Sequence, residues 1–168
     1  MKQNSNGLIG SEEDIKNLAE KKGARLLVYS DSHGSVAIAE QIIKKFGKTC
    51  DALIFCGDGI SDLAQILYKA KEDKKLSNSI PPVIAFVQGN GDCANYPLSE
   101  KTSLKVPRFQ NLLVNHKKFL IVHGHLQGVE WGMEKLGMET KFTESQVVFY
   151  GHTHIAKEEI IDGEGTDG

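Results

Sequence analysis

Short apolar runs alternate with longer amphipathic stretches through the first half of the chain. Arg25–Ser30 (RLLVYS), Ala52–Cys56 and Val83–Val87 each have the length of a buried strand. Between them, Val36–Phe46 and Asp62–Lys75 repeat apolar residues at helical spacing. In the first helix Ile38, Ile42 and Phe46 form one stripe, with Ala39 and Ile43 beside it and Ser35 placed to cap the start. In the second, Leu63, Ile66, Leu67 and Ala70 face inward and the Lys, Glu and Asp residues outward. Ser77–Pro82 reads as a turn-rich link. An order of β-α-β-α-β predicts a parallel sheet.

The flanks are less regular. Residues 1–10 read as a loose tail. Ser11-Glu12-Glu13-Asp14 then opens a helix as a capping box, with Ile15, Leu18 and Ala19 on its apolar face and Gly23 able to close it in the left-handed conformation. Residues 93–111, with Pro97 and Pro107, read as irregular. Leu112–Val114 and Phe119–Val122 flank Asn115-His116-Lys117-Lys118 as a hairpin. Gly128–Gly137 is expected as a short helix carrying Trp131, Val147–Tyr150 as a strand and Ile155–Ile161 as a last strand. The organisation is therefore an N-terminal tail and helix (1–24), one domain (25–161) and a flexible glycine-rich, acidic tail (162–168).

Composition narrows the class. The 168 residues are 40% hydrophobic and 25% charged, enough for one domain with a sizeable core and unlike a disordered chain. A net charge of −2 gives no electrostatic signal for nucleic acid. The three cysteines (Cys50, Cys56 and Cys93) form no C-x-x-C pair, so a reducing, cytoplasmic setting is expected. No window approaches the roughly 20 apolar residues of a membrane span, and Met1–Gly10 is not a signal peptide. Association into a homo-oligomer is left open by the sequence.

The chemistry lies in five polar motifs, each placed just after an apolar run. They are Asp31-Ser32-His33, Gly57-Asp58, Gly89-Asn90-Gly91-Asp92, His123-Gly124-His125 and Gly151-His152-Thr153-His154. Open α/β sheets bind ligands beyond the carboxyl ends of their strands, and the motifs fall at those ends. Together they offer two carboxylates (Asp31, Asp58), one amide (Asn90) and four imidazoles (His33, His123, His152, His154). That donor set suits Mn²⁺, Fe, Co, Ni or Zn²⁺, and the lack of thiolates argues against a structural zinc site. The first three motifs alone read as turns, and His-x-His is a recurrent ligand spacing; the ordered set does not read as turns.

This ordered set (D-x-H, G-D, G-N-x-D, H-G-H and G-H-T-H) resembles the calcineurin-like metallophosphoesterase superfamily. It is most similar to its small single-domain phosphodiesterase branch of bacteria and archaea, over about residues 25–160. The resemblance implies a four-layer αββα sandwich with the metal site at the C-terminal ends of the strands. It implies two divalent ions, Mn²⁺ foremost: one held by Asp31, His33 and His154, the other by Asn90, His123 and His152, with Asp58 bridging. The implied reaction is hydrolysis of a small phosphoester, a diester foremost, by a hydroxide shared between ions about 3.5–4 Å apart. Asp58, Asn90, Asp92 and His125 are the residues implied closest to catalysis.

One departure stands out. Many members of the superfamily carry a proton-donating His after the Asn, and here that position is Gly91, although its acidic partner Asp92 is retained. His125 or a metal-bound water is left to protonate the leaving group, which favours activated aryl esters. His125 either contacts a bound phosphate or braces its loop. His116, Lys105 and Arg108 read as solvated, and Trp131 as core or lid packing. The alternative function is a protein-interaction scaffold of the retromer-subunit type, which shares the fold with a degraded metal site. An amidohydrolase reading is disfavoured, because such enzymes open with His-x-His rather than Asp-x-His.

Overall fold

The structure, a computed structural model, describes residues 3–99 and 102–160. In chain order the elements are α1 (Glu12–Glu20), β1 (Leu26–Tyr29), α2 (Val36–Phe46), β2 (Ala52–Phe55), α3 (Ile60–Lys69) and α4 (Lys74–Ser77). They continue with β3 (Val83–Phe86), β4 (Asn95–Pro97), β5 (Ser103–Lys105), β6 (Phe109–Val114), β7 (Lys117–Val122), α5 (Glu134–Thr143) and β8 (Val147–Phe149). The fold is mixed α/β. Strands β1, β2 and β3 form a parallel sheet in that order, with Leu26, Ala52 and Val83 in register. A second sheet has the order β6-β7-β8, antiparallel then parallel, and β4 pairs with β5.

Side-chain alternation along a strand explains how these sheets are covered. Leu53 and Phe55 of β2 join Ile43 of α2 and Leu63 and Ile66 of α3 in one core. Ala52, Ile54 and Cys56 point the other way and join Leu112, Val114 and Ile121 of the second sheet. On β7, Leu120 and Val122 turn to the opposite side from Ile121 and pack with Val129 and Leu136. Both faces of β2 and β3 are therefore covered, and every residue of the two strands is buried. This is the physical reason that they read as continuous apolar runs. Each buried Leu, Ile or Phe contributes about 1.5–3 kcal/mol.

The helix α2 spans Val36–Phe46 as expected, but its buried side is Ala39 and Ile43; Ile38 and Phe46 are exposed. Ser35 makes no side-chain cap. The second amphipathic stretch starts earlier and breaks. The helix α3 runs Ile60–Lys69, and after a turn Asp73 caps α4 by accepting from the Leu76 N–H. Asp62, expected outward, is buried.

Residues 93–111 hold β4, β5 and the start of β6 rather than being irregular throughout. The hairpin loop shrinks to Asn115-His116, both left-handed at φ 49° and 60°, as a two-residue hairpin turn requires. The expected helix at Gly128–Gly137 is displaced to α5. Turn bonds from Gln127, Gly128 and Val129 back to Gly124 and His125 keep this glycine-rich stretch from starting a helix, and Trp131 is 89% exposed rather than packed. No strand forms over residues 155–160, where Ile155 and Ile160 are exposed and have no sheet to cover them. Residues 161–168, including the end of that expected strand and the tail, lie outside the described residues.

Residues 3–10 differ from a loose tail. Ile9 and Ile84 exchange backbone hydrogen bonds of 3.0 and 2.8 Å, and Leu8 and Ile9 are buried in the two cores beside the parallel sheet. This segment covers the β3 edge, which is otherwise open to unwanted pairing. Among the described residues no helix is long and apolar enough to cross a membrane.

Candidate metal centre

The loops that leave β1, β2, β3 and β7, together with the loop after β8, meet at one end of the sheets. Asp31 Oδ1 lies 3.4 Å from His154 Nε2 and 4.0 Å from both His33 Nε2 and His123 Nε2. Asp58 Oδ2 lies 3.8 Å from His33 Nε2 and 3.4 Å from His123 Nε2. Two donor groups result, Asp31/His33/His154 and Asp31/Asp58/His123, each with its ligand atoms within 4.8 Å of one another. Both carboxylates thus sit between the imidazoles of the two groups. Donors about 2.1 Å from a common ion stand roughly 3–3.4 Å apart, so only modest closure separates these atoms from coordination.

The proton positions support the same reading. Cys56 O can only accept, so His123 Nδ1–H donates to it at 2.7 Å. The lone pair of His123 Nε2 then faces Asn90 Oδ1, another acceptor, at 3.0 Å. Two lone pairs aimed at each other fit a cation between them, and a carbonyl behind the ring is the usual way to fix a ligating tautomer. His33 Nε2 and His154 Nε2 lie 3.4 Å apart.

Backbone conformation adds an independent sign. Among the described residues, eight non-glycine residues have positive φ, and five of them are Asp31, His33, Asp58, His152 and His154. Left-handed backbone is costly for these residues and persists where the surroundings hold it, often at functional sites. Nothing in the hydropathy pattern could have marked these positions.

Asp92 lies beside Asp58 but faces the backbone. Its Oδ2 accepts the N–H of Asp58 (2.7 Å) and Gly89 (2.9 Å), and its Oδ1 accepts the N–H of Gly59 (3.0 Å) and Ile60 (2.9 Å). It thereby fixes the Asp58 loop and satisfies amides at the start of α3, where a carboxylate also suits the helix dipole. Gly89 has no room for a side chain, because a Cβ there would fall 2.0 Å from Asp58 Oδ1. Gly91 donates its N–H to Asp58 Oδ1 at 2.8 Å and has open space on its other side.

His152 is the expected ligand that stands apart from both donor groups. Its N–H points to the Asp31 carboxylate, and its Nε2 lies 3.5 Å from Glu130 Oε2. His125 has its ring 5.2 Å from that of His123 and 6.1 Å from that of His152. Burial, reinforced by the neighbouring His123 and His152, holds its pKa below the usual imidazole range, and its buried Nδ1 has no partner among the described residues. Cys56 is a buried filler as expected, and Cys93 is exposed. Lys105, Arg108 and His116 are exposed. Sequence reasoning missed Asp62, Ser32 and Glu130; only the position of Asp62 four residues after Asp58 hinted at proximity.

The domain model described as the calcineurin-like phosphoesterase superfamily domain matches residues 25–165. The chain belongs to that superfamily. It is 30% identical over 141 residues to phosphodiesterase MJ0936 of Methanocaldococcus jannaschii, covering 80% of this chain and 76% of that protein. It is 28% identical over 138 residues to "Probable metallophosphoesterase YsnB" of Bacillus subtilis, covering 82% and 69%.

Two solved structures share the fold. One, of a predicted phosphoesterase from Streptococcus pneumoniae TIGR4, aligns with a TM-score of 0.54 at 24% identity and 78% coverage of this chain. The chain spans 63% of that structure's length. The other, vacuolar protein sorting 29 from Cryptosporidium parvum, aligns at 0.58 with 15% identity, over 82% of this chain and 69% of that one. As a metallophosphoesterase domain the chain implies divalent metal ions, and the carboxylate, amide and imidazole donors are of the type that holds them.

Proposed function

We propose that this chain hydrolyses a small phosphodiester with two divalent metal ions, Mn²⁺ first among Mn²⁺, Fe, Co, Ni and Zn²⁺. The observation that carries the proposal is the convergence of Asp31, His33, Asp58, His123 and His154 into two donor groups with shared carboxylates. Asp31, His33 and His154 would hold one ion, and Asn90, His123 and His152 the other, with Asp58 between them. When bound, such a pair supplies a nucleophile near neutral pH and offsets charge on the phosphoryl oxygens.

The chain's own residues do the rest. Asp92 acts by position, holding the Asp58 loop through three amides and Gly89 of its own loop through a fourth. His125, with its ring 5.2 Å from that of His123 and 6.1 Å from that of His152, is the group nearest the centre left to contact a phosphate oxygen. Gly91 presents no side chain, so departure of the leaving group relies on its own stability. Aryl diesters are therefore expected to turn over faster than alkyl ones. The setting proposed is cytoplasmic, in keeping with three unpaired cysteines.

The test is hydrolysis of an aryl phosphodiester with each metal, before and after chelation, alongside an alkyl diester. Metal-dependent turnover that Asp58→Asn abolishes is expected. No turnover with any metal, together with tight binding of a protein partner, would overturn the proposal in favour of a scaffold of the retromer-subunit type.

A further inference from the structure

Asp62 is a carboxylate in the first turn of α3, 1% exposed. On its own helix it accepts only a long bond from the Ser61 hydroxyl to Oδ1 at 3.4 Å, because the amides of Gly59 and Ile60 there belong to Asp92. Instead Asp62 Oδ2 accepts the Ser32 hydroxyl at 2.6 Å and the Gly34 N–H at 2.9 Å. These two residues bracket His33 on either side. The loop they clamp carries Asp31 at φ 54° and His33 at φ 42°, conformations that need support from outside the loop. The fit is close, since a Cβ at Gly59 would fall 2.0 Å from Ser32 Oγ. Burying a carboxylate away from cations is costly unless its hydrogen bonds are strong, and here those bonds go to the loop.

We propose that Asp62 is a positioning residue for one of the two metal ions, the one fed by Asp31 and His33. It holds the loop that carries their oxygen and imidazole nitrogen, 4.0 Å apart here and within a small closure of sharing one ion, without touching ion or substrate. The proposal rests on the reading of the centre as a two-metal site. It makes the N-terminal turn of α3 a common support: Asp92 fixes the loop of Asp58 and Asp62 fixes the loop of Asp31 and His33. The two loops are also tied to each other, Asp31 N–H to Gly57 O at 2.9 Å and His33 N–H to Asp58 O at 3.2 Å, so loss of Asp62 should weaken the ion fed by Asp31 and His33 more than the other.

The experiment titrates Mn²⁺ calorimetrically into the chelator-treated protein, and follows amide exchange at Gly34 in the metal-free state. The proteins are wild type, Asp62→Ala, Asp62→Asn and Ser32→Ala. Wild type is expected to take two Mn²⁺ per chain. Asp62→Ala should weaken one equivalent about 10–100-fold, the usual cost of losing a partner behind a ligand, and the other less. Exchange at Gly34 should accelerate without metal.

Asp62→Asn should fall between, because the carboxamide oxygen can still accept from the Ser32 hydroxyl and the Gly34 N–H but without the charge that strengthens both bonds. Ser32→Ala removes one bond while keeping the buried charge, so it tests the clamp if the Asp62 variants do not fold. Two Mn²⁺ bound as tightly by Asp62→Ala and Ser32→Ala as by wild type would overturn the positioning role alone. So would equal weakening of both ions with a lowered metal-free melting temperature. No Mn²⁺ uptake by the wild type would remove the two-metal reading itself.

Discussion

The three loops leaving β1, β2 and β3 are supported from behind, whereas the two loops that bring in the remaining imidazoles lean on them. Asp62 holds residues 32–34, and Asp92 holds residues 58–60 and 89. His123 takes its orientation from Cys56 O, at the end of the parallel sheet, and the His152 N–H points to Asp31. His154, whose side chain is 59% exposed, reaches the cluster only through other candidate ligands. The parallel half therefore sets the frame of the site, and the second half supplies donors to a frame already built. Preorganisation of this kind spares a bound ion the work of ordering the carboxylates, but not that of ordering the last histidines.

The most severe break of this comparison is Asp92→Ala. It leaves four amides around Asp58 without their acceptor, at about 1–3 kcal/mol for each one that stays buried. We expect the chelated protein to lose at least about 3 kcal/mol of stability in urea denaturation and to lose Mn²⁺ uptake. His154→Ala, on the weakly held side, should change chelated stability by no more than about 0.5 kcal/mol. Equal effects would show that the two halves are supported alike.

Metal addition should sharpen the contrast next. At about 100 times its dissociation constant, an ion stabilises the folded chain by about 2.7 kcal/mol. Hydrogen exchange should show the gain concentrated in residues 151–154, with residues 31–34 already protected in the chelated state. Uniform protection gained on both sides would count against a prebuilt frame.

Gly91→His probes the frame from the substrate side. Position 91 has ordinary backbone geometry, and a Cβ there would meet Asp58 Oδ1 at 3.4 Å, an ordinary contact. A donor placed on this fixed loop should raise turnover of alkyl diesters about tenfold, or about 1.4 kcal/mol, with little gain on aryl diesters. Equal gains on both would place the limiting step outside leaving-group departure.

These contrasts also explain what was legible in the sequence. The strands β2 and β3 were readable because burial on both faces makes their whole length apolar. The ordered motifs were readable because donor types recur at strand ends. The buried side of α2 was not, since Ile38, Ile42 and Phe46 satisfy helical spacing as well as Ala39 and Ile43 do, and only packing against α3 and the sheet selects between them. The pairing of Ile9 was invisible because it consists of isolated bridges to Ile84 and Gln3 rather than a strand with a pattern of its own. Asp62 looked like any acidic residue in a first helical turn. Its burial follows from the approach of the loop at residues 32–34, which no local pattern encodes.

The smallest expected effect concerns Tyr29, on β1 behind the clamped loop. Its hydroxyl is buried without a partner among the described residues, although the ring packs on Phe55 at 4.7 Å between centroids. Burial first, and the charge of Asp62 second, hold its pKa above the usual phenol range. In the unfolded chain the phenol ionises near about pH 10. Below that pH it is protonated in both states and contributes no slope. Above it the unfolded chain has released a proton that the folded chain retains, so stability falls as pH rises. Tyr29→Phe keeps the ring, and with it the packing on Phe55. It should leave stability at pH 7 unchanged or raise it by up to about 1 kcal/mol, and should reduce the loss above about pH 10. Asp62→Asn removes the secondary cause and should reduce the extent of that loss less than Tyr29→Phe does, with the onset unmoved. Denaturant melts between pH 7 and pH 11 read all three, and an alkaline limb unaltered in Tyr29→Phe would mean that other groups control it.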